Sequence, residues 1–554
     1  MERQKADRVS SSTSRFRRLT LDLALCAGVF AFLGGLLFAP GAAASATNIY
    51  LAQSAAGTAN GTSCSNAYAY TFFNNSVNWG SGSAQIGPGT TVHLCGTFSF
   101  PAGTSGALTV QGSGTAANVI RIQFESGALA TAPYWGSNGF ITVTGNGFIQ
   151  IDGSPSSTPC GYVNSQDVAC NGTIQATANG AALTNHASGS RGISLGNGTH
   201  DVEVQNLYCQ HLFVPVQNSS TNETTAGVNN SACVFWLSSS GGGNINVHNN
   251  QIDGSFNGVL LAYEGSNAGM HVDNNWMTNI EVGAQIGAGQ SNSTITSGSI
   301  HGNDFSNMAN WDVPGDPNHH EFIHLYTQQP GATISNFTID GNYFHGTLGA
   351  YMTALVYVEC DGGSSCTAPT SIQVNEFNNV VVNEDSSSDI STGAGGNTMT
   401  ECEGSTCNIY NNTYFSPGQF SSLNCAVHLE MGSVVTVKNN IFDGMNCAIS
   451  NGGGTVTASS NLGFGLAASC GSACSVTGDP KLSLTTSPKY QLTDATSAAY
   501  LTGSNFGSLN MTGLLLDQLR VPRPAAGAGP WTMGAFESSG PPPNPPRTLQ
   551  AVVQ

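Results

Sequence analysis

One short phrase, apolar-x-Asn/Gly-Asn-x-apolar, returns along this chain as VHNNQI from Val247, VDNNWM from Val272, IHGNDF from Ile300, IDGNYF from Ile339, IYNNTY from Ile409 and VKNNIF from Val437. A weaker copy, VQNLYC, begins at Val204. The second asparagines are separated by 25 residues from Asn250 to Asn275, 28 to Asn303, 39 to Asn342 and 28 from Asn412 to Asn440. That is a solenoid period. Each unit alternates apolar and polar with period two and is broken every few residues by glycine, asparagine or serine, which excludes the helical solenoids.

The expected fold is all-β, a right-handed parallel β-helix. Each coil would pair with those above and below at ~4.8 Å, so equivalent positions stack into columns. The repeated asparagine then has a physical reason: it tolerates left-handed backbone at an inward bend, and its amide can donate to one neighbouring coil while accepting from the other. A β-sandwich with asparagine-rich hairpins has no need of the same residue at the same strand offset six times.

Three regions resemble the parallel β-helix proteins of the pectate-lyase-like superfamily, in its secreted bacterial form. NIYLAQSAAGTANG with IGPGTTVHLCGTF is similar to the opening strand and cap, NVIRIQFESGALA with FITVTGNGFIQIDG to early coils, and GDPKLSL, YQLTDATSAAY and RPAAGAGPWTMGAFE to the closing segment. The organisation this implies is a signal peptide over 1–46, an N-terminal strand and cap over 47–115, coils over 116–475, a closing segment over 476–537 and a proline-rich tail over 538–554. The superfamily holds lyases, hydrolases, epimerases and non-enzymatic surface proteins, so the resemblance speaks to fold and leaves the activity open.

The first 46 residues read as an export signal, with Arg15, Arg17 and Arg18 before the apolar run Leu19 to Ala39 and the small-residue site Ala44-Ser45-Ala46. Without them, 8 of the 14 basic residues and 29 of the 32 acidic ones remain, a formal charge of −21. So acidic a surface excludes nucleic acid as a partner and repels a polyanionic glycan unless a cation lies between. Cys26 falls in the signal, which leaves 14 of the 15 cysteines, an even number in a chain sent to an oxidising compartment. Disulfides are expected, with the close pairs Cys360/Cys366, Cys402/Cys407 and Cys470/Cys474 stapling turns, although spacing does not settle connectivity. The expected protein is secreted and monomeric, with no membrane span once the signal is removed.

Insertions between solenoid coils gather on one face, which usually binds the ligand. The long interval from Asn303 to Asn342 contains NWDVPGDPNHHEFIHLY, with Trp311, Asp312, His320, Glu321, His324 and Tyr326 close together. His320 to His324 spell the zinc-protease signature H-E-x-x-H, which requires a helix; here the segment lies in a β repeat between two prolines. In a strand, His320, Phe322, His324 and Tyr326 would share one face and Glu321, Ile323 and Leu325 the other. The strands VLLAYEG, ALVYVEC, NTMTECEG and AVHLEMG carry Glu264, Glu359, Glu401 and Glu430, which counting from the asparagines places in one column. Stacked carboxylates must bind a cation or hold a proton.

The leading expectation is therefore a carbohydrate-active protein that binds or cleaves an extracellular polysaccharide. Glu359, Glu401, His320 and His324 are the candidate catalytic residues, and Trp311, Asp312 and Tyr326 would hold the sugar. Ca²⁺ is the one cofactor considered, at Glu430, Asp361 and Glu403. Neither the basic residues of the lyases of this fold nor the paired aspartates of its polygalacturonase-like hydrolases are recognisable, so no catalytic residue transfers by resemblance. The rival reading is a non-enzymatic, adhesin-like surface rod.

Overall fold

The computed structural model describes residues 47–178, 189–212, 231–239, 241–263, 265, 268–308, 320–348, 352–361, 371–383, 398–416, 425–485, 488–493, 495–509 and 511–537. The signal segment, the proline-rich tail, Glu264, Trp311 and Asp312 lie outside them.

A fourteen-stranded parallel sheet runs the length of the rod, from Tyr68–Ala69 and Asn48–Ala52 at one end to Thr455–Ser459 at the other. It holds the strand that opens each repeat of the phrase: Gly243–His248 pairs with Ala268–Asp273, then Thr294–His301, Thr333–Asp340, Ile372–Phe377, Thr406–Tyr410 and Val434–Lys438. A second file of short strands follows the asparagines and includes Asp304–Met308, Tyr343–His345, Val380–Val382, Thr413–Phe415 and Ile441–Asp443. The third file is Ala232–Ser238, Ile323–Thr327, Ala354–Cys360, Thr398–Glu403, Val427–Glu430 and Ile449–Asn451. Two thirteen-residue strands, Gln251–Tyr263 and Trp276–Ala288, pair in both the second and third files. This is a parallel β-helix. Alternate residues such as Val247, Val272, Ile300, Ile339, Ile409 and Val437 point inward and are fully buried, which explains why the phrase opens on an apolar position.

The asparagine pair divides its labour. The first position has φ between 51° and 67° at Asn206, Asn249, Asn274, Gly302, Gly341, Asn378, Asn411, Asn439 and Ser460. This is left-handed backbone, which favours asparagine and glycine. The second asparagine turns inward and is fully buried. Its Oδ1 accepts from the backbone N–H (2.9–3.0 Å) and the Nδ2 (2.9–3.2 Å) of the preceding rung, from Asn250 through Asn275, Asn303, Asn342, Asn379, Asn412 and Asn440 to Asn461. Sequence reading assigned both roles to one residue; the turn needs two because left-handed backbone and an inward amide are demands on different positions.

Asn379 is a rung that the phrase does not reveal. Its apolar position is occupied by Glu376, whose carboxyl lies inside the rod, accepting from Tyr414 Oη at 2.8 Å and Thr400 Oγ1 at 3.1 Å. Burial, opposed by these two hydroxyls, pushes it up to about 7.

Disulfides join Cys64–Cys95, Cys160–Cys170, Cys209–Cys233, Cys402–Cys407, Cys425–Cys447 and Cys470–Cys474. Cys360 is also disulfide-bonded. This cystine content fits an extracellular protein. Among the described residues, no helix is long and apolar enough to cross a membrane. The closing segment returns along the asparagine corner, where outward-facing first asparagines receive it: Asn378 Nδ2 donates to Leu516 O, Asn411 to Thr532 O and Asn439 to Ser504 O, at 2.7–3.0 Å. The buried Arg523 locks it, donating to Glu537 Oε2 at 2.9 Å and Asn378 Oδ1 at 2.8 Å.

Candidate functional site

The third file carries its polar residues on one outward face, because Ile323 and Leu325, Val356 and Val358, and Val427 and Leu429 take the inward positions. Strand register arranges the outward residues into two columns. One is Gln285, His324, Tyr357, Glu401, His428 and Ser450; the other, two residues on, is Gly287, Tyr326, Glu359, Glu403 and Glu430.

The expected single column of Glu359, Glu401 and Glu430 is thereby corrected. Glu359 and Glu430 flank Glu403, while Glu401 stands in the adjacent column between Tyr357 and His428. The turn after Glu403 has two residues before the next strand begins at Thr406, and that after Glu430 has three before Val434. Counting from the asparagines therefore slips, and Glu401 and Glu403, both outward, exchange places.

His320 and His324 do not share a file either. The strand begins at Ile323, and Phe322 and Ile323 both enter the core, so the alternation breaks there. His320 is buried ahead of the strand, its carbonyl accepting from the Thr353 N–H at 3.1 Å. Glu321, expected on the opposite face, lies within electrostatic reach of Glu359 and Glu401. Complete burial and these two like charges raise its carboxyl well above the usual range.

His324 Nε2 lies 2.9 Å from Glu359 Oε2, and both groups are buried. On the other side of the ring, the Gln285 amide Nε2 lies 3.5 Å from His324 Nδ1. The His324 ring also stacks on Tyr357, with centroids 5.4 Å apart and planes at 10°. Tyr357 Oη donates to Glu403 Oε2 at 2.6 Å. Burial pushes Glu401 up to about 7, opposed by His428 and reinforced by Glu430 and Glu403. Tyr326 lies over Gly287, where an added Cβ would come within 2.0 Å of the ring.

Glu401, His428 and Glu430 offer ligand atoms within 4.8 Å of one another, and His428 Nε2 is already 2.9 Å from Glu430 Oε1. An imidazole in the set suits a transition metal better than calcium. Of the residues considered for Ca²⁺, only Glu430 belongs to this trio. Glu403 is engaged by Tyr357, and Asp361, exposed, accepts from Gln328 Nε2 at 3.3 Å.

Sequence reasoning turned Glu321 away from this face and missed Tyr357 and His428. The signal for the last two was present: Tyr357 and His428 stand two residues before Glu359 and Glu430, and in a strand that spacing means the same face.

No protein-family profile matches the chain, and no curated protein matches it. Among solved structures, the native GH136 lacto-N-biosidase from Eubacterium ramulus is similar at 10% identity and a TM-score of 0.40, over 73% of this chain and 68% of that one. Its selenomethionine derivative gives 11% and 0.39, over 75% and 67%. A mannuronic acid specific polysaccharide family 6 lyase from human gut microbiota gives 11% and 0.28, over 78% and 87%. All are carbohydrate-active enzymes by name; likeness at this level concerns the path of the backbone.

Proposed function

We propose that this chain is a secreted glycan-cleaving enzyme with the pectate-lyase-like form of the β-helix, working through acid/base chemistry on the outward face of the third file. The observation that carries this reading is the Glu401 carboxyl, which burial pushes up to about 7, one diagonal step from Glu359. The two residues lie on adjacent paired strands but in neighbouring columns. Strands ~4.8 Å apart and a two-residue step of ~6.6 Å put their backbones roughly 8 Å apart. Side chains rising side by side from those backbones would hold the two carboxyls at a comparable separation, the ~6.5–9.5 Å that leaves room for a water between acid and base in an inverting glycosidase.

In this reading Glu401 gives its proton to the glycosidic oxygen as the C–O bond breaks. Glu359, oriented by His324, takes a proton from the water that attacks the opposite face of the sugar. Glu359 then releases its proton to solvent and Glu401 regains one from it, so the net reaction adds one water across the bond. Tyr326 supplies an aromatic face, and Trp311 and Asp312 complete the sugar site. The absence of lysine and arginine from both columns favours a neutral glycan.

A panel of neutral polysaccharides, incubated with the wild type and with Glu401→Gln and Glu359→Gln, tests the proposal. Expected is cleavage by the wild type, inverted products by early-time NMR, and a loss of turnover of about 10²-fold or more in either variant. Wild-type levels of cleavage in both variants would overturn it, as would failure to cleave or bind any polymer. Binding retained in both variants with no cleavage by the wild type supports the surface-rod reading instead. A second reading follows from the Glu401, His428 and Glu430 trio: a divalent cation held there would bridge an acidic glycan to the face. Cleavage abolished by chelator and restored by metal selects it.

A further inference from the structure

A second cleft opens on a different side of the rod, over the asparagine corner. One wall is the hairpin Gly161–Val163/Gln166–Val168, closed at its base by Cys160–Cys170 and fastened to the coils by the Tyr162 N–H donating to Asn274 O at 2.9 Å. The other wall is the closing segment, where Gln518 Nε2 donates to Gly341 O and Asn342 O, both at 3.3 Å. Between the walls lie two adjoining basins of about 240 Å³ each, which share Tyr162, Ser165 and Gln518. The floor of the first is the second-file column Asp304, Tyr343 and Val380, with His345 beside it.

We propose that this groove binds one or two sugar residues of a neutral glycan chain, apart from the carboxylate face. Its lining has the two elements such a ligand needs: apolar ring faces and planar polar groups around them. Tyr162 comes from the hairpin wall, and Tyr343 from the floor, where its ring is stacked on His345 at 4.1 Å. The polar groups are mostly compensated within the protein. His345 Nε2 lies 3.0 and 2.9 Å from the two Asp304 oxygens, and His301 Nδ1 lies 2.8 Å from Asp340 Oδ2. Asp167 on the hairpin shares the first basin with Lys489 of the closing segment, while Arg520 lines the second, and partial burial together with Asp304 pushes the Asp167 carboxyl up to about 7. An uncharged ligand can use both walls, its hydroxyl groups donating to carboxyl and carbonyl oxygens and accepting from N–H groups. The combined space lies within the range of small-molecule sites.

The proposal rests only on the glycan half of the function inferred above, and it survives if the carboxylate face does not cleave. The test is calorimetric titration of cellohexaose, xylohexaose and mannohexaose into the Glu401→Gln protein, alone and combined with Tyr162→Ala or Asp167→Ala. The hairpin keeps its disulfide and its backbone bond to Asn274 in both groove variants, and exposed Asp167 supports no core contact. At least one hexaose should bind, with affinity lowered about fivefold to tenfold by Tyr162→Ala and lowered also by Asp167→Ala. Binding unchanged in both groove variants, or no binding of any hexaose, overturns the proposal. Turnover is then measured in the Glu401-intact Tyr162→Ala protein: cleavage retained beside weakened binding assigns the two sites separate roles, and groove binding lost with no cleavage in the wild type leaves the groove standing while the carboxylate face fails.

Discussion

Replacing Asn342 by alanine removes one rung of the ladder in mid-rod. Its Oδ1 accepts from the Asn303 N–H and Nδ2, both at 2.9 Å, and its Nδ2 donates to Ile300 O at 2.8 Å and Asn379 Oδ1 at 3.0 Å. Asn303 Nδ2 keeps Val272 O, and Asn379 Oδ1 keeps the Asn342 N–H, so these lose only part of their bonding. The Asn303 N–H loses its ladder acceptor at a fully buried position. An orphaned buried donor costs about 1–3 kcal/mol and each of the three further lost bonds about 0.5–1 kcal/mol, so Asn342→Ala should cost about 2.5–6 kcal/mol. A solenoid opens locally, coil by coil, so the loss is best read by native-state hydrogen exchange at Asn303 and its neighbours, with the urea midpoint as a coarser measure. Protection there should fall by at least about 10²-fold. The control Asn408→Ala removes two partly buried bonds, one donated to Asn375 Oδ1 and one accepted from Tyr410 Oη, and should cost no more than about 1–2 kcal/mol. If Asn342→Ala behaves like that control, the ladder is decoration and the explanation of the repeat is wrong.

Three further outcomes are expected. Unfolded, Glu401 releases its proton near the ordinary glutamate value, and folded it holds it to about 7. The native state therefore carries the extra proton between those values, and the Glu401 contribution to stability is fully present below about pH 4.5 and is lost as pH rises through about 7; Glu401→Gln should flatten that part of the urea-midpoint profile, and an unchanged slope refutes the shift. Arg523→Ala leaves Glu537 buried without its cation and should cost about 3–5 kcal/mol, seen as new protease cuts in the closing segment, whereas an unaltered digestion pattern contradicts the lock. Gly287→Ala forces the Tyr326 ring aside and should raise KM for the glycan with little change in urea midpoint; an unchanged KM removes Tyr326 from the sugar site.

The fold was legible because a coil must satisfy the same two demands at each turn, a left-handed residue and an inward amide, and the pair Asn/Gly-Asn announces both. It became illegible where another residue met a demand differently, as when Glu376 took an apolar position by binding Tyr414 and Thr400, hiding the Asn379 rung. The site was legible by residue type: Glu359, Glu401, His324 and Tyr326 do come together on one face. Its register was not, because turns of two and three residues exchange Glu401 for Glu403, and a bend at Phe322 turns Glu321 toward the carboxylates. Periodicity fixes which face a side chain occupies; only pairing fixes its neighbours.

The protonation of Glu401 at neutral pH is best observed in the carboxyl ¹³C spectrum of protein labelled at glutamate side chains, titrated from pH 4 to 9 beside the Glu401→Gln variant. A resonance with a midpoint near 7 that is missing from the variant, and distinct from that of Glu376, is the predicted result. A Glu401 resonance with its midpoint at the ordinary glutamate value would mean that this carboxyl is ionised at neutrality and cannot serve as the acid.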